Sequence, residues 1–281
     1  MIDPVPVLCG AALVLVLLGV AVLRRGEEGR APVALVAMAA APLGAAVVTL
    51  VVFGRPLAFP PTDFLDGVLA VGVAALPVAV LAGRGGVGGW LGAAGAVGLA
   101  VWLFLTRTES LHERYWDGRV LEHVGALVGL TGVALLGRWS AIAVGRTTEA
   151  SLGFALAAVL AAPALGWSGT LVSALLAAAV SSSSGLPGLL LVARPALREG
   201  LGPLTRAAAV PQVLLLSGVL ANGALYAETP RWAAATFLVA PLLSLLPGRG
   251  AMPATLRLVA ITAACAAAAW FSQGEPDPYG Y

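Results

Sequence analysis

Charge is scarce in this chain of 281 residues. Only 11% of the residues are charged, whereas soluble domains carry about 25%, and the net charge is only +2. Lysine is absent, so all sixteen basic residues are arginines, and none belongs to a long basic stretch. These counts exclude intrinsic disorder and a nucleic-acid-binding protein. They also exclude a water-soluble domain, because 59% of the residues are apolar even before the 35 glycines are added.

Cysteine is nearly absent as well. Cys9 lies near the start of the first apolar segment and Cys265 lies deep in the last one, so we expect no disulfide between them. The chain also lacks a CxxC pair, a haem-ligand pair inside the apolar segments and a cofactor-binding glycine pattern. We therefore expect neither a cofactor nor a bound metal.

Long apolar runs dominate the chain instead, and its mean hydropathy is +0.95. A membrane-spanning helix needs about 20 apolar residues. Runs of suitable length predict ten spans: 6–23, 31–53, 64–82, 89–105, 124–143, 150–166, 170–193, 207–227, 232–247 and 251–271. Only short loops and tails remain, so residues 1–281 are predicted to form a single transmembrane domain. The predicted fold class is all-α, a polytopic bundle of about ten helices with short loops in a lipid bilayer.

The distribution of arginine orients this bundle. Ten spans place both termini on one side of the membrane, where five of the sixteen arginines lie, and leave the other eleven on the opposite side. The arginine-rich side of a membrane protein faces the cytoplasm. We therefore predict a multi-pass protein of the cell inner membrane with both termini outside. Tryptophans at the predicted span ends, such as Trp90 and Trp232, agree with an interfacial aromatic belt.

The seventh span contains an unusual polar run. Four serines, a glycine and a proline lie in its middle: Ser181, Ser182, Ser183, Ser184, Gly185 and Pro187. Glycine costs about 1 kcal/mol in a helix interior, and Pro187 removes an amide and clashes with the carbonyl four residues earlier. We therefore predict a helix that is interrupted or strongly kinked between Ser181 and Gly188, as at transporter binding sites. One alternative is that the serine hydroxyls bond back to their own helix, which then stays intact. Another is that residues 181–188 bend towards the inner interface.

The eighth span adds Gln212, Ser217 and Asn222, whose side chains favour hydrogen bonds between helices. With the four serines they form the predicted binding set, although they do not name a substrate. No Asp or Glu lies clearly inside any span, which disfavours a proton-coupled carrier. Arg138 and Arg257 lie one to two turns inside their spans and are predicted to extend to the cytoplasmic interface.

Polar residues also collect on the predicted outer side. The longest loop, 106–123, holds both histidines and is predicted to form an interfacial helix over 108–118. The candidate outer-face cluster consists of Asp63, Asp66, His112, Glu113 and Glu228. His112 and Glu113 are of metal-ligand type, but no established spacing such as HExxH is present. A solvated, salt-bridged loop is therefore favoured over a metal or acid–base site, and no catalytic residue is assigned.

Two segments, FPPTDFLD at 59–66 and ALYAETP at 224–230, resemble stretches of uncharacterised bacterial polytopic membrane proteins. Those proteins have no assigned activity, so the resemblance implies a membrane protein and no particular function.

Two further motifs are interpreted as turns. The segment 166–169 matches the GxSG pattern of rhomboid proteases, but no histidine follows His123 to activate Ser168. We therefore predict a tight turn there. The glycine-rich segment GRGGVGG at 83–89 lacks the lysine of a phosphate-binding loop and is predicted to be a flexible turn.

Three function classes remain open. A small-solute transporter or permease fits the ten spans, their prolines and the seventh span. A non-catalytic subunit or scaffold of a larger membrane complex fits the lack of intramembrane acids, and it implies membrane-protein partners. The third and least favoured class is an enzyme that acts on lipid-linked substrates at the outer face, through Asp63, Asp66, His112 and Glu113.

The predicted orientation has a direct test. A reporter that is active only in the cytoplasm is expected to be silent when it is fused after Tyr281, because the C-terminus is predicted to lie outside. The same reporter inserted between the fifth and sixth predicted spans, near Gly145, is the matched control and should be active. Cytoplasmic activity at the C-terminus contradicts the orientation.

Overall fold

The structure, a computed structural model, describes residues 64–83, 86–106, 120–195, 198–247 and 254–273. Within these ranges it is almost entirely helical and contains no strand. Eight α-helices follow one another: α1 (Phe64–Gly83), α2 (Gly86–Thr106), α3 (Val120–Ala143), α4 (Thr147–Trp167), α5 (Leu171–Ala193), α6 (Arg198–Tyr226), α7 (Arg231–Val239) and α8 (Ala254–Phe271). A 3-10 segment, Ala240–Leu245, continues α7. The predicted spans 6–23 and 31–53 and the predicted helix over 108–118 lie outside the described residues.

The predicted multi-pass helical protein is confirmed, but the count of about ten helices is not. Seven of the described helices are long and apolar enough to cross a membrane, and Arg231–Leu245 is a shorter apolar element. Their bounds agree with the predicted spans within a few residues, except that α6 begins nine residues before the predicted residue 207. The helix there extends beyond its apolar run into a polar stretch.

Consecutive helices run antiparallel, because only short turns connect α3 to α4, α4 to α5, α5 to α6 and α6 to α7. α1, α3 and α5 therefore end where α2, α4, α6 and α8 begin. We call this the arginine-rich end. Of the six arginines whose side chains are described, five lie towards it: Arg138, Arg146, Arg194, Arg206 and Arg257.

α6 is the central helix of the described bundle. Of its apolar span 89% is buried, compared with 28% for α8. Small residues allow its neighbours to come close: Leu215 of α6 packs on Gly72 of α1, and a Cβ atom on Gly218 would lie 2.7 Å from Val68 of α1. Lipid chains are as apolar as leucine, so such close packing, and not the hydrophobic effect, holds the helices together.

α4 and α5 approach each other along two glycines of α5. A Cβ atom on Gly188 would lie 2.7 Å from Cδ2 of Leu152, and one on Gly185 would lie 3.3 Å from Cβ of Ala155. Gly185 and Gly188 are three residues apart, so they share one face of the helix. These glycines therefore let the two backbones pack closely.

The seventh span was predicted to be interrupted or strongly kinked, and the interruption is wrong, because α5 runs unbroken from Leu171 to Ala193. A kink at Pro187, which lies inside α5, stays a prediction. The hydroxyl of Ser182 donates to the carbonyl of Ala178 at 3.1 Å, as the alternative interpretation expected. The hydroxyl of Ser181 instead donates to the carbonyl of Ala155 in α4 at 2.9 Å. Packing against α4 thus compensates for the low helix propensity of this segment.

The helix type changes at Pro241. α7 ends at Val239, and the 3-10 segment follows directly. Pro241 has no backbone N–H, so it cannot donate the α-helical hydrogen bond to the carbonyl four residues earlier. The change to the more tightly wound 3-10 helix occurs at this position. The side chain of Leu242 lies directly on Gly137 of α3. Arg146 donates to the carbonyl of Ser244 at 2.6 Å, which fastens the segment at the arginine-rich end.

The α4–α5 contact predicts how glycine substitutions act. Replacing Gly188 with alanine is expected to destabilise the protein by about 1–3 kcal/mol, because the added methyl group overpacks against Leu152. Gly129→Ala in α3 is the matched control, since among the described residues no atom outside its own helical turns lies within 4 Å of that Cβ position. It should be neutral or stabilising by up to about 1 kcal/mol. Unfolding free energies of the purified proteins check this, and equal effects would contradict it.

Candidate functional site

A group of buried polar side chains lies where α3, α4, α5 and α6 meet. Its members come from all four helices: Arg138, Ser151, Ser183, Ser184 and Gln212. We call them the arginine–serine cluster, and none of the five is more than 4% exposed. Sequence reasoning selected the two serines of α5 and the glutamine as binding residues, but it did not select the arginine or the serine of α4.

Hydrogen bonds connect the four helices of the cluster. Arg138 donates from Nη2 to Oγ of Ser184 at 2.8 Å, and Gln212 donates from Nε2 to Oγ of Ser183 at 3.2 Å. The hydroxyl of Ser184 donates to the carbonyl of Ser151 at 3.3 Å. Since Ser183 and Ser184 are consecutive, these bonds meet at one level of the bundle.

Arg138 does not extend to the interface, so that prediction is wrong. A helical side chain leaves the backbone towards the N-terminus of its own helix, and the N-terminus of α3 lies at the end opposite the arginine-rich end. The guanidinium is therefore directed deeper into the bundle, where it lies 4.4 Å from the ring centre of Phe154. Ser184, its partner, is nine residues before Ala193, about 14 Å from that end of α5.

Several buried polar atoms of the cluster have no hydrogen-bond partner within the part of the chain that the structure describes. They are Nε and Nη1 of Arg138, Oγ of Ser151 and Oε1 of Gln212. The ring of Phe154 offsets part of the positive charge by a cation–π interaction. Each unsatisfied buried group still costs about 1–3 kcal/mol. The cluster therefore combines a net positive charge with unused donors and one unused acceptor.

A second buried arginine, Arg257 of α8, is fully paired. It donates from Nε to Oε2 of Glu149 at 2.5 Å and from Nη2 to Oε1 at 2.8 Å. This two-bond geometry is the strongest that a guanidinium and a carboxylate form. Arg257 lies in the first turn of α8 and Glu149 in the first turn of α4, so the pair lies at the arginine-rich end, and the extension of Arg257 to the interface stays a prediction. Residue 149 was predicted to lie just before its span, whereas α4 begins at Thr147 and carries Glu149 into the bundle.

The other predicted binding residues of α6 do not join the arginine–serine cluster. Asn222 donates from Nδ2 to Oγ of Ser173 at 3.0 Å, nearer the opposite end of the bundle. Ser217 lies between the two levels, and its buried hydroxyl has no partner among the described residues. The predicted set is therefore divided between separate contacts along α6.

Ser168 of the GxSG segment lies in the turn between α4 and α5, where Gly169 adopts a φ of +82°. Its hydroxyl donates to the carbonyl of Leu165 at 2.9 Å and accepts a hydrogen bond from Thr229 at 2.7 Å. The predicted tight turn is confirmed, and these bonds connect it to the turn between α6 and α7.

The outer-face cluster is only partly visible, since Asp63, His112 and Glu113 lie outside the described residues. Asp66 is 4% exposed in the first turn of α1, whereas Glu228 is exposed. The two segments that carry them meet through aromatic rings: the ring centres of Phe64 and Tyr226 are 5.3 Å apart. An aromatic contact therefore joins the two segments.

Elsewhere in the bundle, the described residues line two cavities. One of about 90 Å³ lies between α3, α6 and α7, with His123 and Arg231 at its edge, where Nε2 and Nη1 are 3.2 Å apart. Another of about 260 Å³ lies between α2, α3 and α6 and is lined in part by Arg206. Neither of these cavities includes a residue of the arginine–serine cluster.

Comparison of the chain with protein-family models, curated proteins and solved structures finds no match. The function is therefore inferred from the chemistry of the polar groups described above, above all from the buried charge of Arg138.

The ion pair between α4 and α8 predicts non-additive mutational effects. Glu149→Ala and Arg257→Ala are each expected to destabilise the protein by about 1–3 kcal/mol, because each removes two charge-assisted hydrogen bonds and leaves one charge unpaired. The double variant should lose less than the sum of the two, since neither charge then remains. A double-mutant cycle on unfolding free energies measures this coupling. Additive losses would contradict the pair's role.

Proposed function

We propose that this protein is a multi-pass permease for a small anion, which binds beside Arg138 in the arginine–serine cluster. One observation carries the proposal: the guanidinium is buried among four helices, and its Nε and Nη1 have no partner within the described residues. An ionisable side chain inside a membrane bundle is by default a functional site.

The cost of this arrangement argues against a purely structural role. A buried arginine that stabilises the fold needs a partner that neutralises it, as Glu149 does for Arg257 at 2.5 and 2.8 Å. Arg138 has one serine hydroxyl at 2.8 Å and a phenyl ring instead. Groups left unsatisfied at such a cost are typical of a site whose partner is a ligand.

The neighbouring groups suit a small polar anion. An anion beside Arg138 would neutralise its charge and accept its unused N–H groups. The unpaired hydroxyl of Ser151 can donate a further hydrogen bond, and Oε1 of Gln212 can accept one from a hydroxyl or a protonated group on the solute. The apolar surroundings strengthen these interactions, because the effective dielectric constant there is low.

Entry is proposed from the arginine-rich end, to which the cluster lies closer. Arg138 is five residues from the end of α3, about 8 Å along the helix. Because most of the arginines lie at this end, we propose that it faces the cytoplasm of a bacterial cell. Both termini then lie on the outer side of the inner membrane.

A non-catalytic subunit of a membrane complex is the second candidate. The close contact between Gly188 and Leu152 favours it, because α4 and α5 leave little room to move at the cluster. The positions of the two cavities, away from the cluster, favour it as well. In this alternative Arg138 contributes to stability and binds no solute.

Anion flux into proteoliposomes tests the proposal. Vesicles that contain the purified protein and valinomycin are placed in isotonic potassium chloride, acetate or phosphate, and their swelling is followed by light scattering. The wild-type protein is expected to accelerate swelling in at least one salt. Arg138→Gln should reduce that rate at least about tenfold, which corresponds to the loss of about 1.4 kcal/mol of stabilisation. Arg194→Gln, an exposed arginine at the same end, is the matched control and should retain the rate.

Stability separates the two candidates. Arg138→Met replaces the charge with an apolar chain of similar length and is expected to raise the unfolding free energy by about 1–3 kcal/mol while it abolishes flux. A wild-type protein without flux in all three salts contradicts the permease. A loss of stability in Arg138→Met then identifies Arg138 as structural and supports the subunit.

A further inference from the structure

The cavity of about 260 Å³ lies at the arginine-rich end, between the start of α2, the last turns of α3 and the first half of α6. Six of its lining residues matter for its chemistry: Gly86, Gly89, Trp90, Trp139, Ser140 and Arg206. A water molecule in the liquid takes about 30 Å³. The cavity therefore has room for a polar group considerably larger than a single water molecule.

Arg206 supplies the charge of this cavity. Its guanidinium carbon lies 5.5 Å from the ring centre of Trp139, and Trp139 donates from Nε1 to the carbonyl of Arg206 at 2.9 Å. These contacts hold the residue against α3. Its Nε is buried and has no partner among the described residues, and none of the described residues that line the cavity is acidic. The positive charge is thus positioned, and no carboxylate among the described lining residues neutralises it.

The first turn of α2 forms the wall beside Arg206. The prediction that 83–89 is a flexible turn is wrong for residues 86–89, because α2 begins at Gly86. Gly86 has a φ of +53°. A Cβ atom on Gly89 would lie 3.8 Å from Nη2 of Arg206, so the guanidinium lies beside this turn. The first amides of a helix have no partners within it. Gly86 and Gly89 of this turn line the cavity together with Arg206 and Ser140.

The level of the cavity in the membrane is marked by Trp90. This side chain is 79% exposed at the start of a membrane-spanning helix, as is typical of aromatic residues at the headgroup level. The adjacent Leu91 is 58% exposed and continues the apolar surface away from the cavity. Basic pockets between transmembrane helices at this level hold the headgroups of anionic lipids.

We propose that this cavity binds the phosphate group of an anionic phospholipid, whose acyl chains lie on the surface beside Trp90 and Leu91. Inorganic phosphate shares the chemistry of the headgroup but has no acyl chains to cover that surface. The site is separate from the arginine–serine cluster and does not depend on the permease.

Lipid binding to the purified full chain in detergent tests the proposal. Phosphatidylglycerol, phosphatidylcholine and inorganic phosphate are titrated separately, and binding is read by native mass spectrometry and by the midpoint of thermal unfolding. Phosphatidylglycerol is expected to bind at least about fivefold more tightly than phosphatidylcholine. Arg206→Gln should weaken phosphatidylglycerol binding about fivefold, because the phosphate group loses its charge-assisted hydrogen bond inside the cavity. Arg194→Gln is the control and should not weaken it.

Two further variants keep the test decisive if Arg206→Gln fails to fold. Arg206→Lys retains the charge and should retain the preference for phosphatidylglycerol. Ser140→Phe retains Arg206 but fills the cavity, and it should lose the preference.

The proposal is overturned if the two lipids bind with equal affinity. It is also overturned if the preference for phosphatidylglycerol survives both Arg206→Gln and Ser140→Phe. A second result would show that the lipid is not the source of the phosphate group. In that result inorganic phosphate stabilises the protein as much as phosphatidylglycerol does, and it also prevents phosphatidylglycerol from binding.

Discussion

The interior of a bilayer offers no water to polar groups, so each must find a partner inside the bundle. Several of the described polar side chains meet this constraint through a neighbouring helix, and others bond to a carbonyl of their own helix. Ser181 bonds to a carbonyl of α4, Arg146 to the end of the 3-10 segment, and Arg257 to Glu149. Arg138 departs furthest from this constraint, because its hydrogen bond to Ser184 leaves two of its nitrogens without partners among the described residues. That departure is why function is assigned to this position.

The same constraint explains the use of glycine. A hydrogen bond between helices requires the backbones to be close, and a helix surface of large side chains keeps them apart. Gly185 and Gly188 bring α5 so near to α4 that Ser181 reaches a backbone carbonyl across the interface. Gly218 likewise lets α6 pack closely against Val68 of α1. Close packing and polar satisfaction therefore depend on each other.

The end of α3 connects the two proposed sites. Consecutive residues of a helix point about 100° apart, so Arg138 and Trp139 face different neighbours. Arg138 is directed at Ser184 of α5, whereas Trp139 bonds to the carbonyl of Arg206 in α6. One turn of α3 thus contributes to the arginine–serine cluster on one side. On the other side it contributes to the cavity of about 260 Å³ that is proposed to bind a lipid phosphate group.

The fold class and most of the helix bounds could be predicted from the sequence, because the length of an apolar run is itself the requirement for crossing a membrane. The polar residues Ser183, Ser184 and Gln212 could also be selected, since they are rare in such runs. Only the tertiary structure decided that α5 stays unbroken and that Arg138 lies against Ser184. Both depend on how each helix is rotated about its axis against its neighbours. That rotation is set by contacts between residues distant in the chain, such as Gly188 with Leu152, and not by local sequence.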